Sequence, residues 1–218
     1  MYHFVEKEFL ARVKSVCSDI VNQLVVRINN ECYMEVKQHL VGSGAKGLVV
    51  QNNRESIDLD YNLEIRKLYK FDWEDGRGIK EYIRKKFNEV LQKSDWGDCK
   101  DSTSVFTTEE RCFKKGNQTA WSIDIAIVCQ NTSGEWERLI HQKTGIVQLD
   151  RWYWNIAPNS KDLTKKINWL KKNNYWDPYV KDTYLQKKNM YLVRNDHNHP
   201  SFICYIETIN ELYYKFKQ

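Results

Sequence analysis

The stretch of sequence that decides the fold runs from Leu40 to Ile65 and reads LVGSGAKGLVVQNNRESIDLDYNLEI. Its last part alternates apolar and polar residues, as a strand with one buried face does. Because successive side chains of a strand point to opposite faces, Asp58 and Asp60 would share one face. Two neighbouring carboxylates repel each other unless a proton or a cation lies between them, and oxygen ligands of this kind suit Mg²⁺. The pattern therefore predicts a divalent metal site on this strand.

A glycine-rich turn precedes the strand and contains Gly42, Ser43 and Lys46. Glycine lets a phosphate group approach the main chain closely, and the open backbone amides of such a turn form an anion-binding nest. A Gly-Ser pair alone is typical of an ordinary turn, and Lys46 alone is typical of a solvated loop. Placed before an Asp-x-Asp strand, the turn favours phosphate binding by these three residues.

A third acid, Asp124, lies in the apolar run SIDIAIV from Ser122 to Val128. Aspartate is disfavoured inside strands, so a functional gain must offset the cost of placing three of them there. The alternative is that Asp58, Asp60 and Asp124 are surface residues at strand ends. The apolar residues on both sides of each acid favour a shared site.

The motifs together resemble the signature of the polymerase-beta-like nucleotidyltransferases. The Gly-Ser-x-x-Lys-Gly motif, which contains Gly42, Ser43 and Lys46, is most similar to that of the oligoadenylate synthetase and cGAS-like branch, the CD-NTases. The resemblance covers roughly residues 35 to 130. It implies that Asp58 and Asp60 hold two Mg²⁺ (or Mn²⁺) ions. It also implies that Asp124 holds the catalytic ion and favours deprotonation of the acceptor, while Ser43 contacts the β- or γ-phosphate.

The resemblance implies an enzyme that transfers a nucleoside monophosphate from a nucleoside triphosphate to a hydroxyl acceptor and releases pyrophosphate. If the acceptor is itself a nucleotide or a nucleic acid, the products are oligonucleotides or cyclic nucleotides. One alternative is a nucleotide-binding or regulatory protein that keeps the fold without catalysis. Another is a transferase that acts on a protein, a transfer RNA or an antibiotic. The presence of all three acids argues against the first alternative.

Composition restricts the class of protein further. The 218 residues are 41% hydrophobic and 29% charged, which is typical of a globular protein, and the net charge of +5 favours anionic partners such as a triphosphate. The six cysteines form no CxxC pair and no signal peptide precedes them, so we expect reduced thiols and a cytoplasmic location. No apolar run of 18 residues is present, so we expect no membrane partner. The oligomeric state stays open.

The remaining patterns predict an α+β fold, a mixed sheet with flanking helices. Apolar residues at spacings of three and four predict helices over residues 6–29, 79–91 and 201–216, and alternation predicts strands around Asp124. We expect a nucleotidyltransferase catalytic domain over residues 1–150 and a small helical region over residues 151–218 packed against it.

Two features of the C-terminal region have alternative interpretations. Five lysines, Lys161, Lys165, Lys166, Lys171 and Lys172, line one helix face after the aromatic segment Trp152 to Trp154. They are either a solvated helix face or an acceptor site. The segment with His197, His199 and Cys204 lacks a fourth zinc ligand, so a turn leading into a helix is the better interpretation.

Overall fold

The computed structural model describes residues 1–157, 161–194, 196 and 201–217, and within them the chain has the predicted α+β fold with a mixed sheet. The strands are β1 Tyr2–Phe4, β2 Met34–Leu40, β3 Val50–Asn52, β4 Ile57–Leu68, β5 Lys100–Asp101, β6 Phe106–Thr107, β7 Trp121–Gln130, β8 Trp136–Gln142 and β9 Arg151–Ile156. The α-helices are α1 Lys7–Asn30, α2 Gly42–Lys46, α3 Gly76–Lys93, α4 Lys161–Lys172, α5 Lys181–Val193 and α6 Ser201–Phe216, and two short segments, Val147–Leu149 and Trp176–Val180, form a 3-10 and a π helix.

The chain divides into two compact units. The sheet unit consists of Glu6–Lys46 and Ser56–Ala157. The helical unit consists of Met1–Val5, Gly47–Glu55 and Pro158–Gln218. Each unit is built from segments that are not contiguous in sequence. The division into a domain of residues 1–150 and a region of residues 151–218 stays a prediction.

The sheet unit is built around β4. This strand pairs antiparallel with β2 on one side and parallel with β7 on the other. The other edge of β7 pairs antiparallel with β6 and with β8, which extend the sheet to β5 and β9. Every residue from Trp121 to Cys129 is buried except the half-buried Asp124. An apolar strand buried on both faces is typical of the centre of a sheet.

Helix α1 covers the apolar face of β4. Alternate residues of β4 are buried, among them Leu59, Tyr61 and Leu63, and the hydroxyl of Tyr61 lies 3.0 Å from Oγ of Ser18 in α1. Helix α1 buries seven residues at helical spacing: Phe9, Val13, Cys17, Ile20, Val21, Leu24 and Ile28. Because strand side chains alternate, Asp58 and Asp60 are left on the opposite face of the sheet.

The helical unit has its own core. Helices α4 and α5 both pack against α6, and the fully buried residues include Leu48, Leu170, Cys204 and Ile209. Strands β1 and β3 form an antiparallel pair, and Asn189 of α5 hydrogen-bonds to both the backbone nitrogen and the carbonyl of Tyr2. Burial of these apolar faces in one core stabilises the unit.

Several features of the C-terminal half differ from expectation or lie outside the described residues. The Trp152 to Trp154 segment forms part of strand β9, and helix α5 was not predicted. His197 and His199 of the zinc alternative lie outside the described residues, and Cys204 is fully buried. Within the part of the chain that the structure describes, no helix is both long and apolar enough to cross a bilayer.

Candidate active site

The structure brings the three predicted carboxylates to neighbouring positions of two paired strands. Asp60 of β4 and Asp124 of β7 are direct partners in the parallel register, and Asp58 is the partner of Ser122, two positions earlier. Since residues at i and i+2 of a strand share a face, Asp58 and Asp60 lie on the same side of the sheet. The site therefore combines acids from two segments that are distant in sequence.

Burial raises the pKa values of all three acids, and the charges of neighbouring acids add to this for Asp58 and Asp60. Partial burial, followed by the charges of Asp124, Asp60 and Glu110, raises the pKa of Asp58 to about 6. Burial and the charge of Asp124 raise the pKa of Asp60, although Lys46 and Arg138 oppose this shift. Burial also raises the pKa of Asp124. A bound cation would relieve this repulsion.

The donor set fits a hard divalent cation. Carboxylate oxygens are the ligands that Mg²⁺ and Mn²⁺ prefer, and the mutual repulsion indicates that positive charge would stabilise the cluster. Within the described residues, however, no three His, Cys, Asp or Glu side chains stand close enough together to hold a metal ion. The residues that would hold the ion are Asp58, Asp60 and Asp124. Their suitability rests on their carboxylate oxygens and on the repulsion between their charges, which a cation would offset.

Gly42 lies directly against Asp60. Its φ is +61°, and a Cβ atom at this position would lie only 2.1 Å from Oδ2 of Asp60. The backbone nitrogen of Val41 also donates to the carbonyl oxygen of Asp60, at 2.8 Å. Glycine is therefore required both for the backbone conformation and for the space that the carboxylate occupies.

The rest of the turn forms the short helix α2, which two lysines hold. Nζ of Lys46 donates to the carbonyl oxygen of Gly42 at 2.9 Å, and Nζ of Lys14 in α1 donates to that of Gly44 at 2.6 Å. Ser43 is half-buried at the start of this helix. The predicted phosphate-binding residues thus adjoin the carboxylates.

Sequence reasoning missed three residues at this site. Oγ1 of Thr107 in β6 donates to Oδ1 of Asp124 at 2.6 Å, Arg138 of β8 acts electrostatically on Asp60, and Lys14 holds the turn. Thr107 and Arg138 come from strands whose pairing the sequence does not specify, and Lys14 comes from α1, whose contact with the turn the sequence does not specify. The only available signals were a threonine in a short strand and basic residues in otherwise apolar patterns.

The residues predicted to bind the acceptor belong to two different units. Trp152 to Trp154 lie in β9 of the sheet unit, whereas Lys165, Lys166 and Lys171 lie in α4 of the helical unit. Nζ of Lys166 donates to Oδ1 of Asn210 at 2.7 Å, so this lysine helps to join α4 to α6. Lys165 is 82% exposed in its side chain.

Among the solved structures with a fold similar to that of this chain are two of CdnC, although no protein-family model and no curated protein matches it. The Escherichia coli MS115-1 CdnC:HORMA-deltaN complex has a TM-score of 0.60 and 14% identity, and the match covers 95% of this chain and 60% of that one. CdnC with ATP gives a TM-score of 0.56 and 15% identity, and the match covers 96% and 66%. This chain thus spans about two thirds or less of the length of those relatives. At such identities the likeness is one of fold: this chain has a fold similar to that of CdnC.

Proposed function

We propose that this chain is an enzyme, a nucleotidyltransferase that transfers a nucleoside monophosphate from a nucleoside triphosphate to a hydroxyl acceptor. The observation that carries the proposal is the pairing of Asp60 with Asp124 beside the Gly42 turn. This arrangement places acids that suit a divalent cation next to a turn that suits phosphate. The likeness in fold to CdnC and the resemblance of these motifs to the nucleotidyltransferase signature support the same reaction class.

In the proposed reaction the acceptor oxygen forms a bond to the α-phosphorus while the bond to the bridging oxygen breaks and pyrophosphate leaves. Ser43 and Lys46 would hold the β- and γ-phosphates. Asp124 would hold the catalytic ion and favour deprotonation of the acceptor, while Thr107 fixes the orientation of its carboxylate. When bound, Mg²⁺ or Mn²⁺ would neutralise charge on the triphosphate and make the acceptor hydroxyl more acidic.

The acceptor in this proposal is a nucleotide, so the products would be oligonucleotides or a cyclic nucleotide. The likeness in fold to CdnC, solved with ATP, makes ATP the first triphosphate to test. CdnC was also solved in complex with HORMA-deltaN, so a protein partner is a reasonable addition to the assay. A cytoplasmic location stays a prediction.

One observation favours the second candidate, a nucleotide-binding protein without catalysis. Within the described residues, no three metal-binding side chains come close enough together to hold one ion. A carboxylate pair that never closes around a cation would still leave the phosphate-binding turn in place. Such a protein would bind a triphosphate without releasing pyrophosphate.

The deciding experiment is to incubate the protein with each labelled triphosphate and Mg²⁺ or Mn²⁺, resolve the products and measure pyrophosphate. We expect metal-dependent release of pyrophosphate that Asp60→Asn and Asp124→Asn each abolish. Circular dichroism of both variants controls for folding. Triphosphate binding without pyrophosphate from any donor would support the second candidate.

A further inference from the structure

A cavity of about 430 Å³ lies on the face of the sheet that α3 covers. The alternation of side chains along β8 places this face opposite to the face that carries Asp60. Leu139 and His141 are buried on the α3 side, where Gly76 of α3 packs closely against Leu139. Because strand side chains alternate, Arg138 points to the other face, in agreement with its electrostatic effect on Asp60. The cavity is therefore separate from the carboxylate site.

The floor of the cavity is a network of buried charged groups. Lys80 of α3 is only 3% exposed, and its Nζ lies 2.7 Å from Oδ1 of Asp101. His141 is 8% exposed; its Nδ1 lies 2.8 Å from Oδ2 of Asp101, and its Nε2 lies 3.0 Å from Oδ2 of Asp150. The ring of Trp152 stacks on the imidazole at 4.4 Å. Such a network fixes its members in position, because each buried charge has a partner.

The acids that line the cavity are all engaged. Asp101 lies within hydrogen-bond distance of Nδ1 of His141 and pairs with Lys80, while Asp150 lies within hydrogen-bond distance of Nε2 of His141 and accepts from the backbone nitrogen of Thr144. The third acid, Glu81, pairs with Arg77 at 2.7 Å. None of the three carboxylates is therefore left to neutralise further cations at the mouth.

Two exposed cations at the mouth have no acidic partner. Arg84 of α3 and Lys143, which follows β8, both line the cavity, and among the described residues neither forms an ion pair with a carboxylate, although Arg84 hydrogen-bonds to the thiol of Cys99. Lys143 is held by donating to the carbonyl oxygen of Asp101. The cavity thus combines a floor of mutually paired groups with unneutralised positive charge at its mouth, which attracts anions.

We propose that this cavity binds a small molecule carrying a phosphate group, with Arg84 and Lys143 as the phosphate contacts. Its volume lies within the range of small-molecule sites, which is roughly 300 to 1,000 Å³. Arginine and lysine are side chains suited to a phosphate, and both are exposed at the cavity, where a phosphate can reach them. This binding does not depend on the proposed transfer reaction.

The test is calorimetry of the full chain with inorganic phosphate and with adenosine monophosphate, in EDTA and at low salt. We expect one binding site. Arg84→Ala combined with Lys143→Ala should weaken the affinity at least tenfold. The matched control is Lys85→Ala combined with Lys93→Ala, which removes two exposed charges of α3 that do not line the cavity and should change the affinity less than twofold.

The proposal would be overturned if neither probe bound, or if both double variants lost affinity to the same extent. It would also be overturned if Ser43→Ala weakened the affinity, because the probe would then bind at the carboxylate site. Tighter binding of adenosine monophosphate than of phosphate would indicate that the base or sugar also contacts the cavity. Equal binding would assign the site to the phosphate group alone. Circular dichroism of each double variant checks that the exposed substitutions leave the fold intact.

Discussion

Thr107 is the clearest single residue with a testable role in positioning. Thr107→Val keeps the shape of the side chain but removes the hydrogen bond to Asp124 that lowers the pKa of that acid. We expect kcat to fall on the order of tenfold, since a hydrogen bond to a charged group contributes about 1.5 to 3 kcal/mol. The acid limb of the pH–rate profile should move to higher pH, because the pKa of Asp124 rises.

Steady-state kinetics across pH measures both effects of Thr107→Val. The control is Thr132→Val, in an exposed turn, which should leave the rate and the profile unchanged. A lower rate with an unmoved acid limb would show that Thr107 supports only the packing of β6.

Asp58 makes the stability of the metal-free protein depend on pH. Its pKa is raised to about 6, whereas the pKa of an aspartate in an unfolded chain is about 3.9. Between these two pH values the folded state therefore binds more protons than the unfolded state. The contribution of Asp58 to the free energy of unfolding is therefore fully present below about pH 4 and is lost as the pH rises through about 6. In EDTA we expect the Tm to fall over this window, and Asp58→Asn to reduce the slope.

Addition of Mg²⁺ at pH 7 should raise the Tm of the wild-type protein by binding the charged carboxylates. Differential scanning calorimetry measures all of these changes. A wild-type Tm that does not vary with pH and does not respond to Mg²⁺ would contradict a repelling carboxylate cluster at this site.

Gly42 and Gly47 form a matched pair for testing the turn. Both have positive φ, +61° and +69°, but a Cβ atom at Gly42 would meet Asp60 whereas one at Gly47 meets nothing within 4 Å. We expect Gly47→Ala to cost about 1 kcal/mol of stability from backbone strain alone. Gly42→Ala should cost more and should also abolish turnover. Urea unfolding and the pyrophosphate assay give the two readouts, and equal effects of both variants would contradict the close approach.

Among the secondary-structure elements, the basic face of α4 tests the acceptor prediction. Lys165 and Lys172 are exposed, whereas Lys166 is held by Asn210, so Lys165→Glu combined with Lys172→Glu changes charge without breaking that contact. We expect slower product formation with unchanged donor affinity, and high ionic strength should have the same effect. The control is Lys114→Glu combined with Lys115→Glu in an exposed turn. If all variants gave equal rates, the lysines of α4 would form a solvated helix face that does not bind the acceptor.

Elements with a strong internal period could be predicted from the sequence. Apolar spacing predicted a helix over residues 6–29, and α1 spans Lys7–Asn30; the run around Asp124 likewise became β7. Each of these segments buries one continuous stripe or run, so its pattern is local. Residues of the C-terminal half were harder to predict because α5 buries little of its own surface beyond Tyr184.

The partners of the site residues could not be predicted, because they depend on which strands pair. Thr107 reaches Asp124 only because β6 and β7 place the two residues opposite each other. Arg138 acts on Asp60 only because β8 lies beside β7. Sequence patterns define the face of a strand but leave its neighbours open.

At the scale of the whole molecule, the division into units tests whether residues 1–150 form a domain. Strands β1 and β3 belong to the helical unit, where Leu48 is 1% exposed and Tyr2 is bonded to Asn189. A fragment of residues 1–150 would leave these apolar residues uncovered. We expect it to bind a hydrophobic dye and to unfold at a lower temperature than the full chain. Dye fluorescence and calorimetry measure this, and equal stability would support the contiguous division.

Parallel pairing of β4 with β7 also governs how the chain reaches its native state. The two strands are separated by α3, β5 and β6, so a long loop must close before their contacts form, and such non-local pairing slows folding. Until then the apolar run of β7 is uncovered, and exposed runs of this kind associate between chains. Lower growth temperature during production should therefore increase the yield of monodisperse protein.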